Sequence, residues 1–441
     1  MRGLTVARRP AGDLRERAAR ALGGHGWAAG PTLLSTLASG TAAATTLVIA
    51  GLTGAAEFGQ YTVVVSIALI VTVGMLMSLH YVMFQELPRS EPAAHPALMT
   101  TALLSTLVLG TGLLLLTVPF APLLAVPLGV GSQTVCLAVA LALSMTLNQL
   151  TESFLRGLKR YAFVATLKLV VAVVYLAGSV FCLLVLEVRD ADRYLAGLIV
   201  TNLVFAAVAV AGLGITPRAW SSALARSLYR HGAYVTVIAA FTGVLFGIDV
   251  IFLNHWASRT DVGVYSVYSG FPRRLLGVVF FDGIGLILMP TLATMDKPDL
   301  FRRLARIAPS AGAATALVSF AAGLVFFFLL RGHYPFSPVL LALSAAGIGL
   351  HAIFHVYAAA LSMGGVRGAR VLIACLVAGT PVTLACQLAC VAWWGLIGAL
   401  VGFALTNLVL VTIVIIAAGR AYPQPAAGGR SIGDSAVRPE Q

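Results

Sequence analysis

The chain has 441 residues, 59% of them AVILMFWYC with a further 44 glycines, and only 10% charged. Its mean hydropathy is +0.95. So little polar surface cannot solvate a globule of this size, which excludes a soluble protein and leaves a polytopic membrane protein. The net charge of +13 does not indicate nucleic acid, because the basic residues are scattered between apolar blocks rather than gathered into a patch.

The first 29 residues carry six Arg and lack the short apolar core and cleavage site of a signal peptide, so they read as a cytoplasmic tail. Apolar blocks then predict twelve spans: 30–52, 60–86, 97–119, 132–155, 161–186, 194–214, 232–256, 262–290, 309–330, 336–362, 370–392 and 394–418. With the N-terminus inside, the inner segments hold 22 Lys and Arg and the outer ones 4 (Arg189, Arg193, Arg259 and Arg331). That bias places both termini in the cytoplasm. Trp27, Trp220, Trp256, Trp393 and Trp394 fall at span ends, where an aromatic belt belongs. The five cysteines all lie within apolar runs and read as small apolar residues.

Two inner connections have the pattern of surface helices. In 216–230, Thr216 and Pro217 form an N-cap and first-turn pair, Trp220, Leu224 and Leu228 share a face, and Arg218, Arg226 and Arg230 are available to anionic headgroups. In 296–307, Leu300, Leu304 and Ile307 repeat the pattern beside three Arg.

The chain also carries an internal duplication. FGQY at Phe58–Tyr61 reappears as VGVY at Val262–Tyr265, an offset of 204, and TNLV at Thr201–Val204 recurs at Thr406–Val409, an offset of 205. The span that follows each copy of the first motif ends at a proline, Leu87-Pro88 in one and Met289-Pro290 in the other. The expected architecture is an all-α membrane protein of about twelve helices in two parallel six-helix halves around a central cavity. Its parts are a tail (1–29), an N-terminal lobe (30–214), an amphipathic linker (215–230), a C-terminal lobe (231–419) and a second cytoplasmic tail (420–441).

Charges inside the spans mark a lumen. Arg273 and Arg274 lie near mid-membrane after Gly270-Phe271-Pro272, where adjacent guanidinium groups could clamp a pyrophosphate or pair with Asp282. Asp249 could carry a coupling cation or proton, or balance an Arg, and Asp282, besides pairing with Arg274, is a second coupling candidate. Lys168 and Glu152 are shallow, and Lys168 is a further candidate for substrate contact. His351 and His355 share a face but lack the Glu of a zinc-protease motif, and read as cavity-lining polar residues. No P-loop, no nucleophile elbow and no clustered carboxylates occur, so neither a cofactor nor an enzyme activity is expected.

Three stretches carry a family resemblance: LTGAAEFGQYTVVVSIALIVTVG (52–74), LNQLTESFLRGLKRYAFVATLKL (147–169) and GIDVIFLNHWASRTDVGVYSVYSGFPRRLLGV (247–278) followed by MPTLAT (289–294). They resemble the polysaccharide transporters, the O-antigen flippase-like branch of the multidrug/oligosaccharidyl-lipid/polysaccharide exporter superfamily. The resemblance implies a flippase that carries a polyprenyl-pyrophosphate-linked oligosaccharide from the cytoplasmic to the outer leaflet of a bacterial inner membrane for surface polysaccharide synthesis. Its partners would be that lipid-linked oligosaccharide, membrane lipids, a coupling cation or proton, and the pathway's glycan polymerase and glycosyltransferases. Peptidoglycan-precursor flippases of the superfamily usually have fourteen spans and basic residues in the first helix, which this chain lacks. The alternatives are a multidrug or cation efflux transporter, which would want an acidic cavity, and a membrane glycan polymerase or ligase, which would want a larger outer loop.

Overall fold

The computed structural model describes residues 12–270, 272–273, 295–330 and 332–423. The first lobe contributes α1 (Gly12–Thr53), α2 (Ala55–Leu76), α3 (Leu79–Glu86), α4 (His95–Leu128), α5 (Ser132–Gly157), α6 (Tyr161–Leu184) and α7 (Ala191–Ala211). The second contributes α8 (Ser222–Trp256), α9 (Arg259–Tyr265) running into a π-helical turn at Ser266–Gly270, α10 (Lys297–Leu329), α11 (Pro338–Ser362) and α12 (Gly365–Ala421). Ten described stretches are long and apolar enough to cross a membrane. One of these, α12, is two helices joined where Gly395 takes φ 54° and ψ −124°, one residue past the boundary expected at Trp394. Only glycine adopts such a conformation at no steric cost. The twelve described helices, α1–α12, form a bundle in two halves, as the spacing of apolar blocks predicts.

Local sequence explains where helices begin. Ser258 and Asp261 form a capping box at the start of α9, Asp190 caps α7 by accepting the Asp192 N–H, and Ser337 caps α11 ahead of Pro338. Each satisfies first-turn N–H groups that no helical carbonyl can reach.

The structure departs from the sequence reading in two places. The expected span 60–86 is broken at Met77 (φ 41°) and Ser78 (φ 56°), two non-glycine residues in the left-handed region, a conformation that costs on the order of 1–3 kcal/mol and persists only where packing enforces it. The two expected surface helices are not separate. Thr216 and Pro217 open only a 3₁₀ turn, and Ser221 then caps α8, which continues unbroken through the span. Likewise 297–307 is the first third of α10. An interfacial helix and a span share one hydrogen-bonding pattern, so they propagate as one, in α10 even across Pro309.

Among the described residues three large cores hold the bundle together, beside a small one of Ala121, Ala125 and Val135. One joins both lobes, packing Ile49, Phe58, Tyr61 and Val64 of the first against Leu253, Val262, Tyr265 and Phe326 of the second. A second, around Leu79, Met83, Phe154 and Phe205, belongs to the first lobe and takes in the start of α8. A third, around Phe301, Phe354, Tyr357 and Leu410, lies within the second lobe. The shared core lies at the end of the bundle that carries the α8–α9 and α1–α2 connections, here termed the sealed end; the other is the linker end.

Candidate functional site

At the sealed end the duplicated motifs meet each other. Gly59 lies against the Arg259 carbonyl and Gly263 against the Ala55 carbonyl, so closely that a Cβ would sit 2.0 and 1.9 Å from those oxygens. Residues 55 and 59 of the first half match 259 and 263 of the second at the offset of 204. The pseudo-twofold axis therefore passes through this crossing, and the shared glycine of FGQY and VGVY is what permits it. Backbones this near gain Cα–H···O contacts and dense packing in place of side-chain interdigitation.

The flanking contacts obey the same symmetry. Asn254, at the end of α8, donates to the carbonyls of Leu128 and Gly129 in the α4–α5 loop (3.1 and 2.9 Å). Its counterpart in the first half is Ala50 of α1, whose carbonyl accepts from Tyr334 in the α10–α11 loop (2.8 Å). Burial pushes the Tyr334 phenol up from its ordinary value, which keeps it a donor. Gln60 completes the seal, donating to Asp192 and accepting from Arg259, both at 2.8 Å.

The second lobe encloses a polar centre built by the π turn. That turn and Pro272 set the rotational phase of Arg273, and Pro272, lacking an N–H, frees the Tyr268 carbonyl for the Ser344 hydroxyl (2.7 Å). Arg273 Nη2 pairs with Asp249 Oδ2 at 2.9 Å, with the carboxylate side chain only 1% exposed. The same guanidinium donates to the Tyr265 hydroxyl (3.0 Å), the Phe246 carbonyl (3.2 Å) and the Ser269 carbonyl (3.2 Å), and lies over the Phe403 ring. Tyr265 in turn donates to Asp249. Arg273, read from sequence as a substrate clamp, and Asp249, read as a coupling residue or a counter-ion, are thus each other's partners in this conformation.

On the far side of Phe246 and Phe403 lies the histidine pair. Asn407 Nδ2 donates to the Phe403 carbonyl (2.8 Å), which orients its Oδ1 to accept from His351 Nδ1–H (3.0 Å). With its proton on Nδ1, His351 presents a bare Nε2 that accepts from His355 Nε2–H at 2.9 Å. The TNLV repeat acquires a structural meaning here. Asn202, the equivalent of Asn407, accepts from Asn148 of α5 (2.9 Å) just as Asn407 accepts from His351 of α11. In both lobes the motif's Asn ties the last span of the lobe to its fourth span.

In the first lobe, Lys168 Nζ meets Glu152 Oε1 at 2.9 Å, and Arg156 meets the same oxygen at 2.6 Å. Arg274 and Asp282 lie outside the described residues. Sequence reasoning missed Tyr265 and Phe403 as partners of the ion pair. Tyr265 could have been found, since it closes the repeated G-x-Y motif; Phe403 carries no local signal.

Comparison with known proteins locates the fold. No family model and no curated protein matches the chain. Solved structures do. They include the outward-facing conformation of a multidrug resistance MATE family transporter of the MOP superfamily (TM-score 0.60, 13% identity, covering 88% of this chain and 94% of that one). They also include the lipid II flippase MurJ in an inward closed conformation (TM-score 0.59, 10% identity, 87% of each chain). An inward-facing MATE transporter matches at TM-score 0.52 and 14% identity, over 88% and 94%. The chain therefore shares the fold of these membrane transporters over most of its length.

Proposed function

We propose that the protein is a secondary transporter that flips a polyprenyl-pyrophosphate-linked oligosaccharide from the cytoplasmic to the outer leaflet of a bacterial inner membrane, by alternating access and without chemical conversion of its cargo. The observation that carries alternating access is the pseudo-symmetric seal. The large core shared by the two lobes and their pseudo-symmetric contacts lie at one end, where rigid lobes can make or break them together, while toward the linker end α8 alone stays packed on α2 and α3. On the distribution of Lys and Arg the sealed end is the outer one. The substrate class rests on the sequence resemblance at 52–74, 147–169 and 247–294. The fold likeness to a lipid II flippase is consistent with it.

The likeness to MATE transporters favours a second reading, efflux of a cationic drug. Against it stands the state of the membrane carboxylates among the described residues. Asp249 is neutralised by Arg273 and Glu152 by Lys168 and Arg156, so neither offers a bare negative charge to a cation. Deleting the protein in its host should stop surface glycan display and accumulate lipid-linked oligosaccharide at the inner face. Restoring the full chain should reverse both. Normal glycan display in the deletion strain, together with new sensitivity to cationic drugs, would replace the flippase reading with efflux.

A further inference from the structure

A cleft of about 640 Å³ runs between α4 and α8 near the linker end. Leu104, Val108 and Leu109 of α4 form one wall, Met77 at the α2–α3 break forms the floor, and Trp220 and Tyr229 form the rim. Its back is closed by the α2–α8 seam, where the Gly232 position lies 2.6 Å, measured from a Cβ built there, from the Met77 carbonyl, and Gly243 packs on Val73. The cleft therefore opens away from the seam. Val108, on the face of α4 opposite its buried residues, is 73% exposed. In a membrane-spanning helix such a face meets hydrocarbon.

The rim is built rather than incidental. Thr100 donates to the Thr216 carbonyl (3.2 Å), the Ser221 N–H donates to Thr101 (3.2 Å), and Trp220 Nε1 reaches Ser105 (3.4 Å). These bonds hold the linker against α4 and fix the Trp220 indole beside the end of a span, the position in which amphipathic rings favour the headgroup boundary. Just beyond this rim Arg218, Arg226 and Arg230 are all exposed, and residues 212–232 contain no Asp or Glu to neutralise them.

We propose that this cleft and its basic rim form a binding site for an anionic phospholipid, with one acyl chain along Val108 and Leu109 and the phosphate at the linker arginines. Apolar walls alone would accept any lipid of that leaflet. The uncompensated charge at the mouth selects an anionic one, each Arg near the headgroup raising affinity about fivefold, so about a hundredfold for three. A lipid held there bridges α4, the segment that joins the lobes, and the helix break at Met77. It would steady the α2–α8 seam. The site does not depend on which cargo the protein carries.

The test uses the purified full-length chain in detergent, with native mass spectrometry to count bound lipid as phosphatidylglycerol or phosphatidylcholine is added. Phosphatidylglycerol should bind at one saturable site in strong preference to phosphatidylcholine. Arg218→Ala with Arg226→Ala and Arg230→Ala should weaken it about a hundredfold. Val108→Trp, which fills the cleft and leaves every charge in place, should abolish the site while the protein still elutes as a monodisperse species. Equal retention of both lipids, or undiminished binding in either variant, would overturn the assignment. So would displacement of phosphatidylglycerol by undecaprenyl phosphate at equal concentration, which would give the cleft to an isoprenoid chain instead.

Discussion

Replacing Gly59 by Ala tests the seal at one of its two close backbone approaches. The added methyl would lie 2.0 Å from the Arg259 carbonyl oxygen, whereas a carbon against a carbonyl oxygen rests at about 3.3–3.6 Å. The obstruction is backbone, so no side-chain rotation relieves it, and α2 and α9 must separate by more than about 1 Å. Overpacking of this kind costs about 1–3 kcal/mol, and the cost falls on the sealed conformation alone because the crossing exists only there. A two-state lobe equilibrium would shift about 5- to 150-fold toward the open form. Spin labels at Arg189→Cys and Thr260→Cys, both exposed and on different lobes at this end, would report it by pulsed dipolar spectroscopy in a background with the five native cysteines replaced. The parent should give a short, narrow distance distribution, and Gly59→Ala a longer and broader one. Gly74→Ala, where a Cβ meets nothing within 4 Å, should leave the distribution unchanged. An unaltered distribution in folded Gly59→Ala would refute the argument that close backbone approach governs closure.

Three further outcomes follow from the polar contacts and the topology. Asp249→Asn keeps the size of the side chain but leaves Arg273 buried without its counter-ion, so thermal unfolding in detergent should show a loss of about 3–5 kcal/mol, largely recovered when Arg273→Gln is added. If the single variant is as stable as the parent and has lost only the ion-gradient dependence of transport, Asp249 is a coupling residue and not a structural counter-ion. Ser344→Ala strands the Tyr268 carbonyl that Pro272 leaves without a helical donor, which should lower stability by about 1–3 kcal/mol; Ser362→Ala, at an exposed hydroxyl bonded to its own helix, should change it little. Reporter fusions at Arg160, Ser222 and Lys297 should all read cytoplasm, with Gly129, Asp190 and Ser258 outside; an inversion between 160 and 258 would be incompatible with six spans in each half.

Membrane class, span number and duplication were legible in the sequence because each is a local or additive property. Insertion depends on hydropathy summed over about 20 residues, and a duplicated gene leaves its offset in the residues, here 204 at both FGQY and VGVY. The sequence by itself also marked Arg273, Asp249, His351 and Lys168 as costly residues to bury in a bilayer. Only the tertiary structure decided their partners. Asp249 and Arg273 are 24 positions apart on different helices, and whether they face each other depends on the rotational phase that a single π turn changes. The break at Met77–Ser78 carries no glycine or proline to announce it and exists because α8 packs against it at Gly232. The repeated glycines looked like any others until two halves were laid across each other. Hydropathy is settled between a helix and lipid, but phase, pairing and close approach are settled between one helix and the next.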